Sequence, residues 1–414
     1  MTPPRSQRLA AVHAATLLAA VTLLLYLGRH FWFHYDEWDI VGNHSLPLFQ
    51  PHNEHWSTLP YLVYKALYPL LGLRHYLPYL AIVVVLHAGV AHLLWRVLRG
   101  EGVGGWIAVF LTAAFLVLGA GAENLVWAWQ MGFVGSVFLG YGALLLAATG
   151  RTTGRTDMLA AAALVGALMC SGMGIVMLLV VALAIALRRG PIAALSVGAL
   201  PLLCFAAWYL TFGHTASGQA YARPSLAGSL HFVWVGLTAS SEMASGLKWT
   251  GPLLTVAAGS WAAWKLIGDR GGNAIAVAGV VGAVALFAII SAGRLQYGAQ
   301  SAAQGRYVYV AAALLVPAAG LALNSLATRG RVGEVATALL LAWCFVHGAR
   351  VLVLSERQHS AVTENTRRLV VAAADRLGAQ PPADPAARPD PVAAPTLTMA
   401  RIARFKRDGA MPRS

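Results

Sequence analysis

An all-α fold, a polytopic transmembrane helical bundle, is what this sequence predicts, on three observations. Apolar residues make up 58% of the chain and the mean hydropathy is +0.63, a composition suited to lipid rather than water. Asp and Glu number only 16 among 414 residues, so few segments carry enough charge to stay in solvent. Apolar runs of roughly 15 to 22 residues recur between short polar breaks, and helical spans of about 20 residues cross a hydrocarbon core of about 30 Å. The ten-residue alternation of polar and apolar positions that marks an outer-membrane barrel is missing.

The first run, 9–28, follows the basic start "MTPPRSQR", as in a signal peptide. It lacks a small-residue cleavage site before the bulky "RHFWFHY", so it reads as a retained first span. Further spans are expected at 75–97, 106–120, 133–149, 158–170, 174–187, 191–212, 252–267, 274–292, 307–324 and 334–353, about 11 in all. The stretch 158–187 is too long for one ordinary span. "CSGMG" (170–174) supplies Ser and Gly at its midpoint, so two short helices with a turn are expected. Two amphipathic helices are read in the interface. One is 59–73, started by Ser57, Thr58 and Pro60, with a leucine stripe flanked by Lys65 and three tyrosines; the other runs from about 226 to 244. The chain thus divides into a transmembrane unit, 1–353, and a tail, 354–414. The tail carries a polar helix ended by Gly378, a Pro-rich linker and a short basic segment.

Arginine placement sets the expected topology. With the N-terminus inside, 12 basic residues fall at inside breaks: Arg5, Arg8, Arg96, Arg99, Arg151, Arg155, Arg188, Arg189, Lys265, Arg270, Arg329 and Arg331. Seven fall outside: Arg29, Lys65, Arg74, Arg223, Lys248, Arg294 and Arg306. The first outer loop is then 29–58, and the tail lies on the outer face. Basic residues scattered over span ends explain the formal charge of +14 without a nucleic-acid partner. Arginine far outnumbers lysine in an Ala- and Gly-rich chain, the codon bias of a GC-rich bacterial genome, so a bacterial inner membrane is the expected location.

On this topology the outer face gathers the chemistry. "FHYDEWDI" (33–40) packs Asp36, Glu37 and Asp39 just beyond the first span, and the same loop holds Glu54 between His52 and His55. "GAENLVWAWQMGF" brings Glu123, Asn124 and Gln130; the segment 213–250 brings His214, Tyr221, Arg223, His231 and Glu242. "SAGRLQYGAQSAAQGRYVYV" adds Arg294, Gln296, Gln304, Arg306 and Tyr307. Carboxylates meeting arginines at a membrane surface suit group transfer from a lipid phosphate. A partly buried carboxylate takes the proton of an attacking hydroxyl. Guanidinium groups, always charged and able to bind two oxygens, hold the departing phosphate.

The order of an outer loop opening on "YDEW", a juxtamembrane helix "LPYLVYKALYPLLGL" and a late "GRY" at the outer start of a span resembles the GT-C glycosyltransferases. These are polytopic enzymes that use polyprenyl-phosphate-linked sugars. The resemblance covers roughly 9–325 as architecture. It implies an inverting transfer from a polyprenyl-phosphate sugar to a hydroxyl acceptor on a glycan, lipid or protein, with Asp36 as base, Glu37 beside it and Arg306 on the phosphate. Asp39, Glu54, His55, Glu123, Gln130, Arg294 and Tyr307 are the expected substrate contacts. The chain lacks the sizeable C-terminal soluble domain that many members carry.

Plainer readings stand beside these. The acidic cluster is also what a solvated loop looks like, Glu123 needs only an Arg or Asn partner to order its loop, and Arg294 and Arg306 suit headgroup anchoring. His30, His34, His44, His52 and His55 match no compact metal motif, although a divalent ion between Asp36 and Glu123 would neutralise a leaving phosphate. Cys170, Cys204 and Cys344 sit in apolar runs and read as small packing residues. The rival functions are a transporter or flippase of a lipid-linked or anionic solute, and a non-catalytic subunit of the same fold. A transporter calls for charges near the bilayer midplane, and this chain keeps most of its acids at span ends.

Overall fold

The structure is a computed structural model that describes residues 5–43, 45–148, 153–216, 225–268, 272–377 and 384–412. His44, Arg151, Tyr221, Arg223, Arg270 and Gly378, singled out above, lie outside the described residues. Among the described residues there are α-helices and short 3-10 turns but no β-strand. In order the helices are α1 (Arg5–Leu27), α2 (Glu37–Ile40), α3 (Thr58–Leu71), α4 (Leu77–Gly100), α5 (Gly105–Leu116), α6 (Glu123–Val126), α7 (Met131–Ala148) and α8 (Gly154–Cys170). They continue as α9 (Met173–Arg189), α10 (Pro191–Thr211), α11 (Leu226–Ser245), α12 (Gly251–Gly268), α13 (Ala274–Arg294), α14 (Gly305–Ala327), α15 (Arg331–Asp375) and α16 (Met399–Arg407).

Each apolar run read from the sequence contains a helix. Among the described residues seven helices, α1, α4, α7, α10, α13, α14 and α15, are long and apolar enough to cross a membrane, so the chain is a multi-pass membrane protein. Helices α4, α7, α9, α13 and α14 form the centre, joined by buried Val83, Val84, Val137, Val181, Leu286 and Leu314. Helix α10 lies at the periphery and turns Ile192, Leu195, Leu203 and Leu210 outward, the side-chain class that lipid solvates at no cost. The chain breaks after Cys170, where Ser171 is extended, and α9 folds back along α8. A Cβ on Gly174 would sit 2.5 Å from the Ala167 backbone, so this close return admits only glycine.

Three expectations change. Helix α3 turns Tyr61, Tyr64 and Tyr68 inward and leaves Leu62 and Leu70 exposed, so the leucine stripe is its outer face. The hydroxyls need buried acceptors, whereas leucine next to lipid needs none. The third apolar run ends early, with α5 stopping at Leu116 and 3-10 turns and the four-residue α6 carrying the chain to Gln130. Beyond 353 the tail does not start a new helix. Helix α15 runs unbroken for 45 residues, because nothing between Gly348 and Asp375 breaks it.

The end of α15 and the segment 384–412 pack on the acidic loop. Tyr35 N–H donates to Ala393 O (2.8 Å), Leu73 N–H to Ala410 O (2.8 Å) and Thr366 to Asp390 (2.7 Å). Phe405 on α16 is buried against Tyr68 and Gly42; Gly42 has a φ of +68°, and a Cβ there would lie 2.3 Å from the Phe405 ring. The tail is therefore part of the scaffold that holds residues 33–43 in place.

Candidate functional site

The acidic segment follows α1 and a turn at 28–30, and its aromatic residues fix its course. Phe31, Trp32, Phe33 and Trp38 are buried, with Phe33 edge-on to Tyr76 and Tyr79. Anchored this way, two adjacent carboxylates point in opposite directions. Glu37 is fully buried. It accepts hydrogen bonds from the Tyr64 hydroxyl, from the Tyr76 hydroxyl (3.1 Å) and from His34 N–H (2.7 Å), and Tyr76 in turn accepts from Ala128 N–H (2.8 Å). Burial pushes its pKa up from the usual carboxylate range to about 8, against the pull of those donors. Asp36 faces a cleft instead, with Oδ2 3.4 Å from His52 Nε2.

His52 is delivered by a tight turn. Residues 52 and 55 exchange two backbone hydrogen bonds of 3.0 Å, and Asn53 between them is left-handed at φ +51°. The turn sends His52 edge-on to Trp129 and beside Asp36, Glu54 to Arg294, and His55 to the α8–α9 break. His55 Nδ1 accepts from Gly172 N–H (3.2 Å), which places the hydrogen of the neutral ring on Nε2. Burial holds that ring neutral, lowering its pKa to about 4; Glu54 pulls it up and Arg294 and Arg306 add to the lowering.

The cleft is partly open to solvent. Its walls include Asp36, His52, Asn53, His55, Ser57, Trp129, Gln130, Phe133, Ser171, Arg294, Arg306 and Tyr307. Arg294 comes from the end of α13 and pairs with Glu54. Arg306 opens α14. Its Nη1 reaches Glu123 (3.3 Å), its backbone N–H donates to the same carboxylate (3.1 Å), and its Nη2 donates to Gln304 (2.6 Å). Its Nε–H meets no acceptor among the described residues. Buried Asn124 donates to Arg306 O (3.1 Å) and fastens the 119–130 segment to the start of α14.

Of the residues read from the sequence, Asp36, His55, Gln130, Arg294, Arg306 and Tyr307 line one cleft. Glu54 and Glu123 join it through their arginines. Glu37 does not face the cleft, because its burial in the Tyr64–Tyr76 pair turns it into the scaffold. Asp39 does not either. It is half-buried, and the Arg401 guanidinium of α16, whose charge it favours, is its electrostatic partner. Sequence reasoning passed over Ser171, Ser57 and the Asp36–His52 contact. A serine at a helix break was the one available signal for Ser171; the His52 contact depends on the fold of the whole loop.

A divalent ion shared by Asp36 and Glu123 does not fit this arrangement, since the Glu123 oxygens are engaged by Arg306 Nη1 and N–H. Among the described residues no three His, Cys, Asp or Glu side chains are grouped to hold a metal. The three cysteines are free thiols, and Cys170 lies on the cleft wall. No protein-family model matches this sequence, and no curated protein matches it either.

Proposed function

We propose that the chain is a GT-C-like glycosyltransferase of about eleven spans in a bacterial inner membrane. It moves a sugar from a polyprenyl-phosphate carrier to a hydroxyl acceptor on the outer face. The observation that carries this reading is one cleft lined by a carboxylate, Asp36, and two arginines, Arg294 and Arg306.

Asp36 accepts the proton of the acceptor hydroxyl as its oxygen attacks the anomeric carbon. His52 Nε2 stands 3.4 Å from this carboxylate, at the wall of the cleft. The bond from the anomeric carbon to the phosphate oxygen breaks as the new one forms, with inversion, and the electron pair leaves on the carrier phosphate. Arg294 and Arg306 meet the charge that develops there, and the unengaged Nε–H of Arg306 is one donor for it. The carrier's hydrocarbon chain remains among the membrane helices, which is why the cleft sits at one end of an apolar bundle.

The test is transfer of labelled sugar from polyprenyl-phosphate donors in membranes containing wild type, Asp36→Asn or Arg306→Ala. Both variants are expected to lose transfer; unchanged transfer by both sinks the reading.

A further inference from the structure

Burial divides the cleft into two zones. The charged groups stand at its mouth, where the side chains of Asp36, Arg294 and Arg306 are 25%, 21% and 26% exposed. The floor is neutral: Gln130, Ser57 and Ser171 are no more than 3% exposed.

The floor is not an anion site, although it lies at the start of α9. The N–H groups of Gly172, Met173, Gly174 and Ile175 are taken by His55 Nδ1, Ser171 Oγ, Ser171 O and Gly172 O. One acceptor on the floor is left without a donor. Gln130 Oε1 is enclosed and has no hydrogen-bond partner among the described residues. An enclosed amide oxygen is costly to leave unpaired, and a hydroxyl brought by a ligand supplies the missing hydrogen. His55, which lines the same cleft, is neutral, with its own hydrogen on Nε2. A carboxylate on this floor would bring only acceptor oxygens to Gln130 Oε1 and leave it unpaired, whereas a hydroxyl finds both an acceptor and a donor.

We propose that the floor is the subsite for an uncharged, hydroxyl-bearing sugar ring, with Gln130 accepting from one hydroxyl while the phosphate stays at the arginines of the mouth. The assignment rests on the reading of the cleft as a lipid-phosphate-sugar site. It orients the substrate: ring inward, phosphate at the mouth.

The experiment is direct binding to the purified full-length protein in detergent. The probes are citronellyl phosphate alone and its esters with a neutral pentose, a neutral hexose and a hexuronic acid. Wild type is expected to bind at least one neutral ester about tenfold more tightly than the bare phosphate, and the uronic ester no more tightly. Gln130→Met is expected to lose that gain and keep the affinity for bare phosphate, which also certifies its fold. Should Gln130→Met lose bare phosphate as well, Gln130→Asn, which keeps an amide but withdraws it, is expected to lose the sugar gain alone. A neutral-sugar gain that survives these substitutions, or a uronic ester that binds best, overturns the subsite and leaves the wider reading standing. If bare phosphate and every ester fail to bind wild type, the wider reading falls and the subsite with it.

Discussion

Arginine–carboxylate pairs occur at both ends of the bundle, and they are built differently. Helix α9 starts at the cleft floor and runs for 17 residues to Arg188 and Arg189, about 25 Å at 1.5 Å per residue. There Arg189 grips Asp157 with two bonds, 2.8 and 2.7 Å, and also donates to Ala147 O (2.9 Å). Arg188 joins Glu101 and Ala148 O. At the cleft, Arg306 has a single contact of 3.3 Å from its guanidinium to Glu123 and keeps Nε–H unengaged. Exposure does not separate the two ends: Arg189 is 24% exposed and Arg306 is 26%. Coordination does. Two parallel bonds between Arg189 and Asp157 staple helices together, while Arg306, which meets Glu123 through one guanidinium nitrogen and lines a cavity, can turn Nε–H to a ligand.

The largest effect expected to sharpen this contrast is at Asp36. Asp36→Asn removes the carboxylate proposed as base and is expected to lower sugar transfer by about 10³-fold at nearly unchanged melting temperature. Asp157→Asn at the other end is expected to do the reverse, lowering the melting temperature and sparing turnover. Next comes Arg306→Gln, expected to cost about 10²-fold in kcat, the scale for losing one donor to developing charge. Arg189→Gln is its control. If the Arg189 variant loses transfer as steeply as the Arg306 variant, the distinction between staple and ligand site is wrong.

A smaller effect on transfer is expected from the tail. Phe405→Ala empties the space between Tyr68 and Gly42, and deleting a buried phenyl ring costs about 3 to 5 kcal/mol. Because Tyr35 and Val41 are also held through Ala393 and Arg401, transfer is expected to fall only severalfold while thermal unfolding shifts clearly. Activity that disappears altogether would mean the tail enters the cleft chemistry rather than supporting its loop.

Where helices run was legible because lipid imposes one rule on every span, and the apolar runs obey it. The break at "CSGMG" and the start of α3 were legible because Gly, Ser and Pro act locally. The inner face of α3 was not. Counting leucines finds the face that seeks apolar surroundings, and in a membrane protein that face looks out to lipid, while Tyr64 turns inward to Glu37. The continuity of α15 was missed because polarity beyond 353 was taken for a boundary, and a helix leaving the membrane changes its composition without changing its hydrogen bonds. The division of labour between Asp36 and Glu37 was out of reach for another reason. Neighbours in sequence differ in side-chain direction, and direction here is set by Tyr64 and Tyr76, 27 and 39 residues away.

That division has its own consequence in pH. Glu37 binds a proton more tightly in the folded chain, with a pKa near 8 against a reference of 4.5. The stability it contributes is therefore fully present below about pH 4.5, declines as pH rises toward 8, and is flat above. His34 and His55 run the other way: burial lowers their pKa, so the stability they contribute is lost as pH falls below the ordinary histidine range. The informative quantity is the difference between wild type and Glu37→Gln, in which the histidine contributions cancel. The variant is expected to melt below wild type at pH 5, since its amide N–H₂ meets hydroxyls and an N–H that were donating. The gap between the two is expected to narrow from pH 5 to 8, because only wild type loses stability there through this group. Thermal unfolding in detergent across that range measures it. Parallel curves would mean Glu37 is ionised in the folded protein and that the Asp36–Glu37 contrast is one of direction only.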